Sequence, residues 1–139
     1  MTASAVLAVD TSVAVPLLVA AHEAHVVVRE WAVGRTLALS GHALAETYAV
    51  LTRLPGDARV APEDAVLLIE DRFTERVVLA PHRSGEVHRD LARAGISGGA
   101  TYDGLVALAA RDHGAALATR DARARPTYEA VGVQVLVVG

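Results

Sequence analysis

Five short runs of mostly apolar residues recur along the chain. They lie at residues 6–9, 36–39, 77–79, 115–118 and 133–138. Short runs that are apolar on both faces are typical of buried strands in a parallel sheet. Longer segments that contain helix-forming residues separate them, and several of these segments end at glycine or begin at proline. The pattern therefore predicts strands that alternate with helices.

Seven helices are predicted between these strands. Thr11 or Ser12 can cap the first, which extends to about residue 20, and Ser84 can cap another that ends at Gly95. The others are predicted at residues 24–33, 42–54, from Pro62 onward, 101–113 and 127–131. Alternating strands and helices favour a doubly wound parallel α/β sheet, and the length of 139 residues suits a single domain over residues 1–139.

Polar residues with short side chains follow three of the predicted strands. The three segments are Asp10-Thr11-Ser12, Ser40-Gly41-His42 and Thr119-Arg120-Asp121. Ligands of doubly wound sheets gather at the carboxyl ends of the strands, so these segments mark the expected site.

Four acidic residues are candidates for that site. Asp10 and Asp121 follow strands, although either could simply cap a helix. Glu46 lies in a mostly apolar helical segment that could bury it, or it could face solvent. Asp103 lies in the first turn of the most apolar helix, where the helix dipole favours a carboxylate. Together they would converge at one edge of the sheet.

Converging carboxylates repel one another unless they keep protons or bind a cation. At ~5 Å and an effective dielectric constant of ~20, each ionised pair costs ~3 kcal/mol. Ligands that are all carboxylate oxygens suit Mg²⁺ or Mn²⁺ better than zinc. Such an ion can bind a phosphodiester and activate water.

Composition excludes several other kinds of site. The chain has no cysteine, and all thirteen of its basic residues are arginine, so thiolate chemistry and a catalytic lysine are excluded. Net charge is −3, so RNA phosphates would have to meet local clusters such as Arg120, Arg123 and Arg125. Those arginines could equally be solvated. The first basic residue is Arg29, and Asp10 and Pro16 interrupt the first apolar stretch; we therefore expect no export signal or membrane helix, and a cytoplasmic location.

In this order, the motifs resemble the PIN domain, specifically the VapC-type toxins of bacterial toxin–antitoxin pairs. The resemblance covers nearly the whole chain and is carried by Val-Leu-Ala-Val-Asp-Thr-Ser-Val at residues 6–13, residues 40–53 around Glu46, Thr-Tyr-Asp-Gly-Leu-Val-Ala-Leu-Ala at 101–109 and Ala-Thr-Arg-Asp at 118–121. It implies a three-layer α/β/α sandwich with a five-stranded parallel sheet. Its other implications are a homodimer, inhibition by a DNA-binding antitoxin of the VapB type, and cleavage of structured RNA such as transfer or ribosomal RNA.

The resemblance also assigns roles to residues of this chain. Asp10, Glu46 and Asp103 would be the central acids that hold Mg²⁺ or Mn²⁺. Asp121 would be the fourth acid. Thr11, Ser12 and Thr119 would be polar helpers of the site. Some relatives carry another acid two residues after the fourth, where this chain has Arg123, so one ion is expected rather than two.

Two other functions fit the sequence pattern. A non-catalytic module that binds RNA or protein could use the acids only as caps and partner-facing charges, and a phosphatase could use a related α/β scaffold. An antitoxin could cover part of an apolar face, and one of its basic side chains would enter the acidic pocket. The residues of that face are Val13, Val15, Leu17, Leu18, Val26, Val27 and Trp31.

Overall fold

A computed structural model describes residues 5–139, so the first four residues of the predicted domain lie outside the described part. Four strands form one parallel sheet: β1 (Val6–Val9), β2 (Thr36–Leu39), β3 (Leu117–Thr119) and β4 (Val135–Val137). Their order across the sheet is β2-β1-β3-β4. In register, Ala8 is paired with Ala38 on one side and with Leu117 on the other. The prediction of an α/β fold with a parallel sheet is confirmed.

Eight α-helices connect and flank these strands in residues 5–139. They are α1 (Thr11–Leu18), α2 (His25–Ala32), α3 (Ala43–Thr52), α4 (Pro62–Arg72), α5 (Pro81–Ser84), α6 (Val87–Arg93), α7 (Ala100–Asp112) and α8 (Arg125–Val131). A short 3₁₀ turn at Gly56–Ala58 precedes α4.

The sheet differs from the predicted five strands, because residues 77–79 do not form a strand. Val77 makes one parallel bridge to Ser40, and its carbonyl accepts a hydrogen bond from the Gly41 amide at 2.7 Å. Val78 is already 57% exposed, and Pro81 starts a helix two residues beyond Leu79. The run is too short to form further bridges, so the strand predicted from three apolar residues was wrong.

Two predicted helix starts also differ. Asp10, not Thr11 or Ser12, caps α1, since its side chain accepts a hydrogen bond from the Val13 amide. Ser84 does not cap a helix; it is the last residue of α5, and α6 begins after Glu86.

The direction of the connections places helices on both faces of the sheet. The chain steps from β1 to β2 in one direction and then from β2 back past β1 to β3 in the other. Right-handed crossovers in opposite directions lie on opposite faces. In agreement with this rule, α1 and α2 of the first connection pack together, and α7 of the second packs against α6 and α8; α3 and α4, which begin the second connection, pack against α1. The strands are buried between these layers, with Ala8, Val9 and Leu117 fully inaccessible.

The apolar face predicted from residue 13 to residue 31 is mostly core. Val13, Val15 and Leu17 are buried, whereas Val26 and Val27 remain 62% and 51% exposed. Among residues 5–139, the helices are all too short or too polar to cross a bilayer.

Candidate active site

The site lies where β1 is flanked by β2 and β3. The chain leaves β1 toward β2 first and reaches the opposite side only later, so this is the topological switch point of the sheet. The helices on either side of a switch point diverge and leave a crevice at the carboxyl ends of the strands. Asp10 directly follows β1, and Thr119 is the last residue of β3.

Asp10 is held by four hydrogen-bond donors. One oxygen, Oδ1, accepts from Ser12 Oγ at 2.5 Å and from the Val13 amide at 3.3 Å. The other, Oδ2, accepts from Thr119 Oγ1 at 2.5 Å and from the Tyr128 hydroxyl at 2.8 Å. The residue is only 4% exposed. A carboxylate has about four lone-pair sites, so every one of them is used and the side chain is fixed.

Ser12 and Thr119 extend this network to the end of β3. The Ser12 hydroxyl accepts from the Arg120 amide at 2.8 Å, and the Thr119 hydroxyl accepts from the Asp121 amide at 3.0 Å. Two of the three predicted polar helpers therefore contact Asp10. The third, Thr11, lies on the other side: its hydroxyl donates to the Ala43 carbonyl at 3.5 Å and so links α1 to α3.

The turn after β2 holds α7, and with it Asp103, against the sheet. The Ser40 hydroxyl is buried and donates to the Val106 carbonyl at 2.6 Å. Gly41 has a φ of +53°, and a Cβ there would lie 2.9 Å from Ala109 Cβ and 3.1 Å from the Leu105 carbonyl oxygen. Only glycine allows α7 to approach so closely in that conformation.

The other three acidic residues all affect the pKa of Asp103. Burial raises its pKa, and the charges of Asp121, Glu46 and Asp10 raise it further. Glu46 is exposed on α3, whereas Asp103 and Asp121 are half-buried. The other three predicted acids therefore lie within electrostatic range of Asp103.

Tyr128 belongs to this site although sequence reasoning did not include it. It is 1% exposed, and burial, followed by the charge of Asp10 and their hydrogen bond, raises the pKa of its phenol strongly. A tyrosine that keeps its proton at all ordinary pH values can only donate to Asp10. The signal was present in the sequence: Ala124, Tyr128 and Val131 share one helical face, and a buried tyrosine needs an acceptor for its hydroxyl.

The donor set fits a divalent cation. Four carboxylates around a partly desolvated crevice, one of them with a raised pKa, are an arrangement that positive charge stabilises. Within residues 5–139 no three acidic or histidine side chains are yet close enough to share one ion. For Asp10 to ligate an ion directly it must release a donor. Ser12 is the most accessible of its side-chain donors, because it is half-buried whereas Thr119 and Tyr128 are buried.

The three predicted phosphate-binding arginines differ in their surroundings. Arg120 and Arg125 line a small cavity of about 90 Å³ together with Asp121. Arg125 pairs with Glu129 at 2.9 Å on the exposed side of α8. Arg123 is exposed, and its backbone amide donates to Asp121 Oδ1 at 2.9 Å.

Comparison with known proteins agrees with this architecture. Residues 7–129 match the model of the PIN domain family. The chain is 58% identical over 131 residues to Ribonuclease VapC27 of Mycobacterium tuberculosis, which covers 94% of this chain and 96% of that protein.

Two solved structures share the fold at low sequence identity. VapBC2 from Rickettsia felis, bound to a DNA fragment from its promoter, superposes with a TM-score of 0.66 at 16% identity over 97% of this chain and 100% of that one. VapC20 of Mycobacterium tuberculosis, a Sarcin-Ricin loop cleaving toxin, superposes with a TM-score of 0.62 at 22% identity over 93% of this chain and 96% of that one.

Proposed function

The chain belongs to the PIN-domain family and is of its VapC type, and from this we propose that it is a metal-dependent endoribonuclease, the toxin of a VapBC-type pair. The observation that carries the proposal is the grouping of Asp10, Glu46, Asp103 and Asp121 at the switch point of the sheet, where burial and mutual repulsion raise the pKa of Asp103. The relative at 58% identity is itself named a ribonuclease.

The four acidic residues have two roles in the proposed reaction. Asp10, Glu46 and Asp103 hold Mg²⁺ or Mn²⁺, directly or through water. When bound there, such an ion would neutralise the carboxylates, make a bound water more acidic and polarise the phosphodiester. Asp121 orients the attacking water or a second ion, while Ser12, Thr119 and Tyr128 keep Asp10 in place and Thr11 links α1 to α3.

The substrate we propose is structured RNA, such as transfer or ribosomal RNA. Support comes from the fold neighbour VapC20, described as cleaving the Sarcin-Ricin loop. Because the net charge is −3, attraction of the whole protein to RNA is weak, and Arg120, Arg123 and Arg125 would bind phosphates flanking the cleaved bond.

We further propose a cytoplasmic homodimer that a VapB-type antitoxin inhibits. The fold neighbour VapBC2 was solved on promoter DNA, which is consistent with contact to DNA only through the antitoxin. A basic side chain of the antitoxin would enter the acidic pocket and compete with the ion. The affinity of the purified complex for manganese should then be lower than that of the toxin alone, and equal affinities would contradict this point.

The function is tested by sequencing RNA ends after controlled production of the wild type, Asp10→Asn and Glu46→Gln. We expect defined cuts with a 5′-phosphate and a 3′-hydroxyl for the wild type only, and turnover at sub-stoichiometric protein when Mg²⁺ or Mn²⁺ is present. A 2′,3′-cyclic phosphate would show attack by the 2′-hydroxyl of the RNA and would refute the carboxylate mechanism. An active Asp10→Asn protein would refute the site.

A further inference from the structure

A pair of aromatic rings lies between the two helices that carry Glu46 and Asp103. His42 immediately precedes α3, and Tyr102 is in the first turn of α7. Their ring centroids are 5.2 Å apart and their planes are tilted by 32°. We propose that these rings form a platform on which an unpaired base of single-stranded RNA stacks. This inference rests on the proposed function and adds a binding subsite to it.

The position of the pair couples it to the acidic residues. The Glu46 amide donates to the His42 carbonyl at 3.1 Å, so Glu46 follows His42 by one helical turn on the same side of α3. Tyr102 is the residue next to Asp103 in α7. The ring pair therefore lies one helical turn from Glu46 along α3 and one residue from Asp103 along α7.

One ring of the pair is open to a ligand. Tyr102 is 54% exposed, whereas Phe73 and Tyr128 are 1% exposed. The chain has only five aromatic residues, so an aromatic face left open next to the acidic residues is not a consequence of abundance. About half of the Tyr102 surface therefore remains accessible to a ligand.

A cavity continues from His42 and has room for a base. Its volume is about 350 Å³; Val78, Leu79, Val87 and Leu105 form an apolar wall, and the rest of the lining, with His42 and Ser84, is polar. Ligand pockets in proteins commonly have volumes of about 300–1,000 Å³, and this cavity lies within that range. The platform and cavity together offer a stacking surface and an apolar wall.

Base stacking also provides an attraction to RNA that does not depend on the charge of this protein. Proteins that bind single-stranded RNA combine attraction to phosphates with stacking on aromatic rings. Here the net charge is −3 and the pocket itself is acidic, so phosphate attraction is weak. Stacking is independent of that charge and would hold the strand close to the carboxylates.

The test measures fluorescence anisotropy of two labelled oligomers in EDTA. One is decaadenylate; the other is the same ten-unit chain with abasic residues at its four central positions. We expect Tyr102→Ala to bind decaadenylate about 5- to 150-fold more weakly than the wild type. Tyr102→Phe, which keeps the ring, should bind within about twofold of the wild type, since stacking needs no hydroxyl. The abasic oligomer should bind weakly to the wild type, and Tyr102→Ala should weaken it no further.

Tyr48→Ala provides the matched control. Like Tyr102, Tyr48 is an exposed tyrosine, with 38% of its surface accessible, but it is on α3. It lines a different groove, between α3 and α4, with Val66 and Ile69. Its removal should leave the affinity for both oligomers unchanged. The platform is refuted if Tyr102→Ala binds decaadenylate as the wild type does. It is also refuted if Tyr102→Ala weakens the binding of both oligomers equally, which would indicate loss of a backbone contact.

Cleavage kinetics separate this inference from the proposed function. If the wild type and Tyr102→Ala cleave RNA with the same KM, the platform is wrong and the ribonuclease assignment stands. If decaadenylate binds through Tyr102 but no metal-dependent cleavage follows, the ribonuclease assignment is wrong and the platform stands. A wild type that binds neither oligomer and cleaves no RNA refutes both. When both hold, Tyr102→Ala raises KM and leaves kcat nearly unchanged.

Discussion

Removal of one hydroxyl group tests how Asp10 is held. Tyr128→Phe deletes the donor that lies 2.8 Å from Asp10 Oδ2 and keeps the ring in its buried position. Afterwards Oδ2 keeps only the bond from Thr119. The expected result is a less stable protein with a less firmly oriented Asp10.

The magnitude follows from the kind of bond that is lost. A hydrogen bond to a charged group contributes about 1.5–3 kcal/mol, and the Tyr128 side chain is buried away from bulk solvent. For a chain of this size, 1 kcal/mol changes Tm by about 3–5 °C, so Tm should fall by about 5–15 °C. Tyr102→Phe is the matched control: its hydroxyl is on an exposed side chain, and its effect should stay within about 0.5 kcal/mol.

A double-mutant cycle with Asp10→Asn isolates the charge. An asparagine oxygen can still accept from Tyr128, but that bond is neutral and contributes only about 0.5–1.5 kcal/mol. Tyr128→Phe should therefore cost about half as much in the Asp10→Asn protein, in metal-free buffer, as in the wild type. Equal costs in both backgrounds, or a Tyr128→Phe protein that melts with the wild type, would show that Tyr128 does not hold the carboxylate.

Three further predictions concern stability and activity. Asp103→Asn should raise the free energy of unfolding of the metal-free protein at neutral pH. Burial and the other three carboxylates raise the Asp103 pKa and so disfavour its charged form in the folded state. The gain, measured by denaturant unfolding, should disappear as the pH falls below 3.8, because Asp103 is then protonated in both states. Gly41→Ala should lower the free energy of unfolding by about 2–4 kcal/mol and reduce cleavage, because the new Cβ clashes with α7 and the left-handed backbone is strained. Gly114→Ala is the control: its φ is +72° but the space around it is open, so it should cost only the backbone strain of about 1–2 kcal/mol. Arg83→Met should lower Tm modestly, because it removes ion pairs with Asp112 at 2.8 Å and Asp90 at 2.7 Å from a partly exposed guanidinium, and high salt should reduce the difference from the wild type.

The sequence predicted the elements best where the hydrophobic pattern and the boundary residues agree. The runs at residues 6–9 and 36–39 match β1 and β2, and Pro62 does begin α4. The run at residues 77–79 has no such boundary residues. Whether it forms a strand depends on pairing with a neighbouring strand, which its own sequence does not reveal, and it forms a single bridge instead. Tertiary contact decided that outcome.

The placement of Asp10 and Asp121 at one edge of the sheet was predictable, because parallel strands bring their carboxyl ends together there. Their supporting contacts were less so. Nothing local indicates that Thr11 contacts the Ala43 carbonyl while Ser12 contacts Asp10, since neighbouring residues in the first turn of a helix point in different directions. The Tyr128–Asp10 bond spans 118 residues of sequence and depends on how α8 packs against α7 and β4.

Asp10→Asn is also less innocuous than its conservative chemistry suggests. The Asp10 carboxylate accepts from the Val13 amide and so caps α1. If the asparagine oxygen faces Tyr128 and Thr119, its NH₂ group faces the Val13 amide. Both groups are donors, so the cap of α1 is lost. Glu46→Gln is the better inactive variant, because Glu46 is exposed on α3 and its replacement leaves the buried network intact.

The most direct test of the account is the affinity of the purified protein for Mn²⁺, measured by titration calorimetry for the wild type and for variants in which each acid is replaced by its amide. If the four carboxylates share one site, the wild type binds Mn²⁺, and Asp10→Asn, Glu46→Gln and Asp103→Asn each bind at least about tenfold more weakly. Glu63→Gln, on the exposed first turn of α4, binds as the wild type does. A wild type that binds no Mn²⁺, or an Asp103→Asn protein with unchanged affinity, would contradict the account.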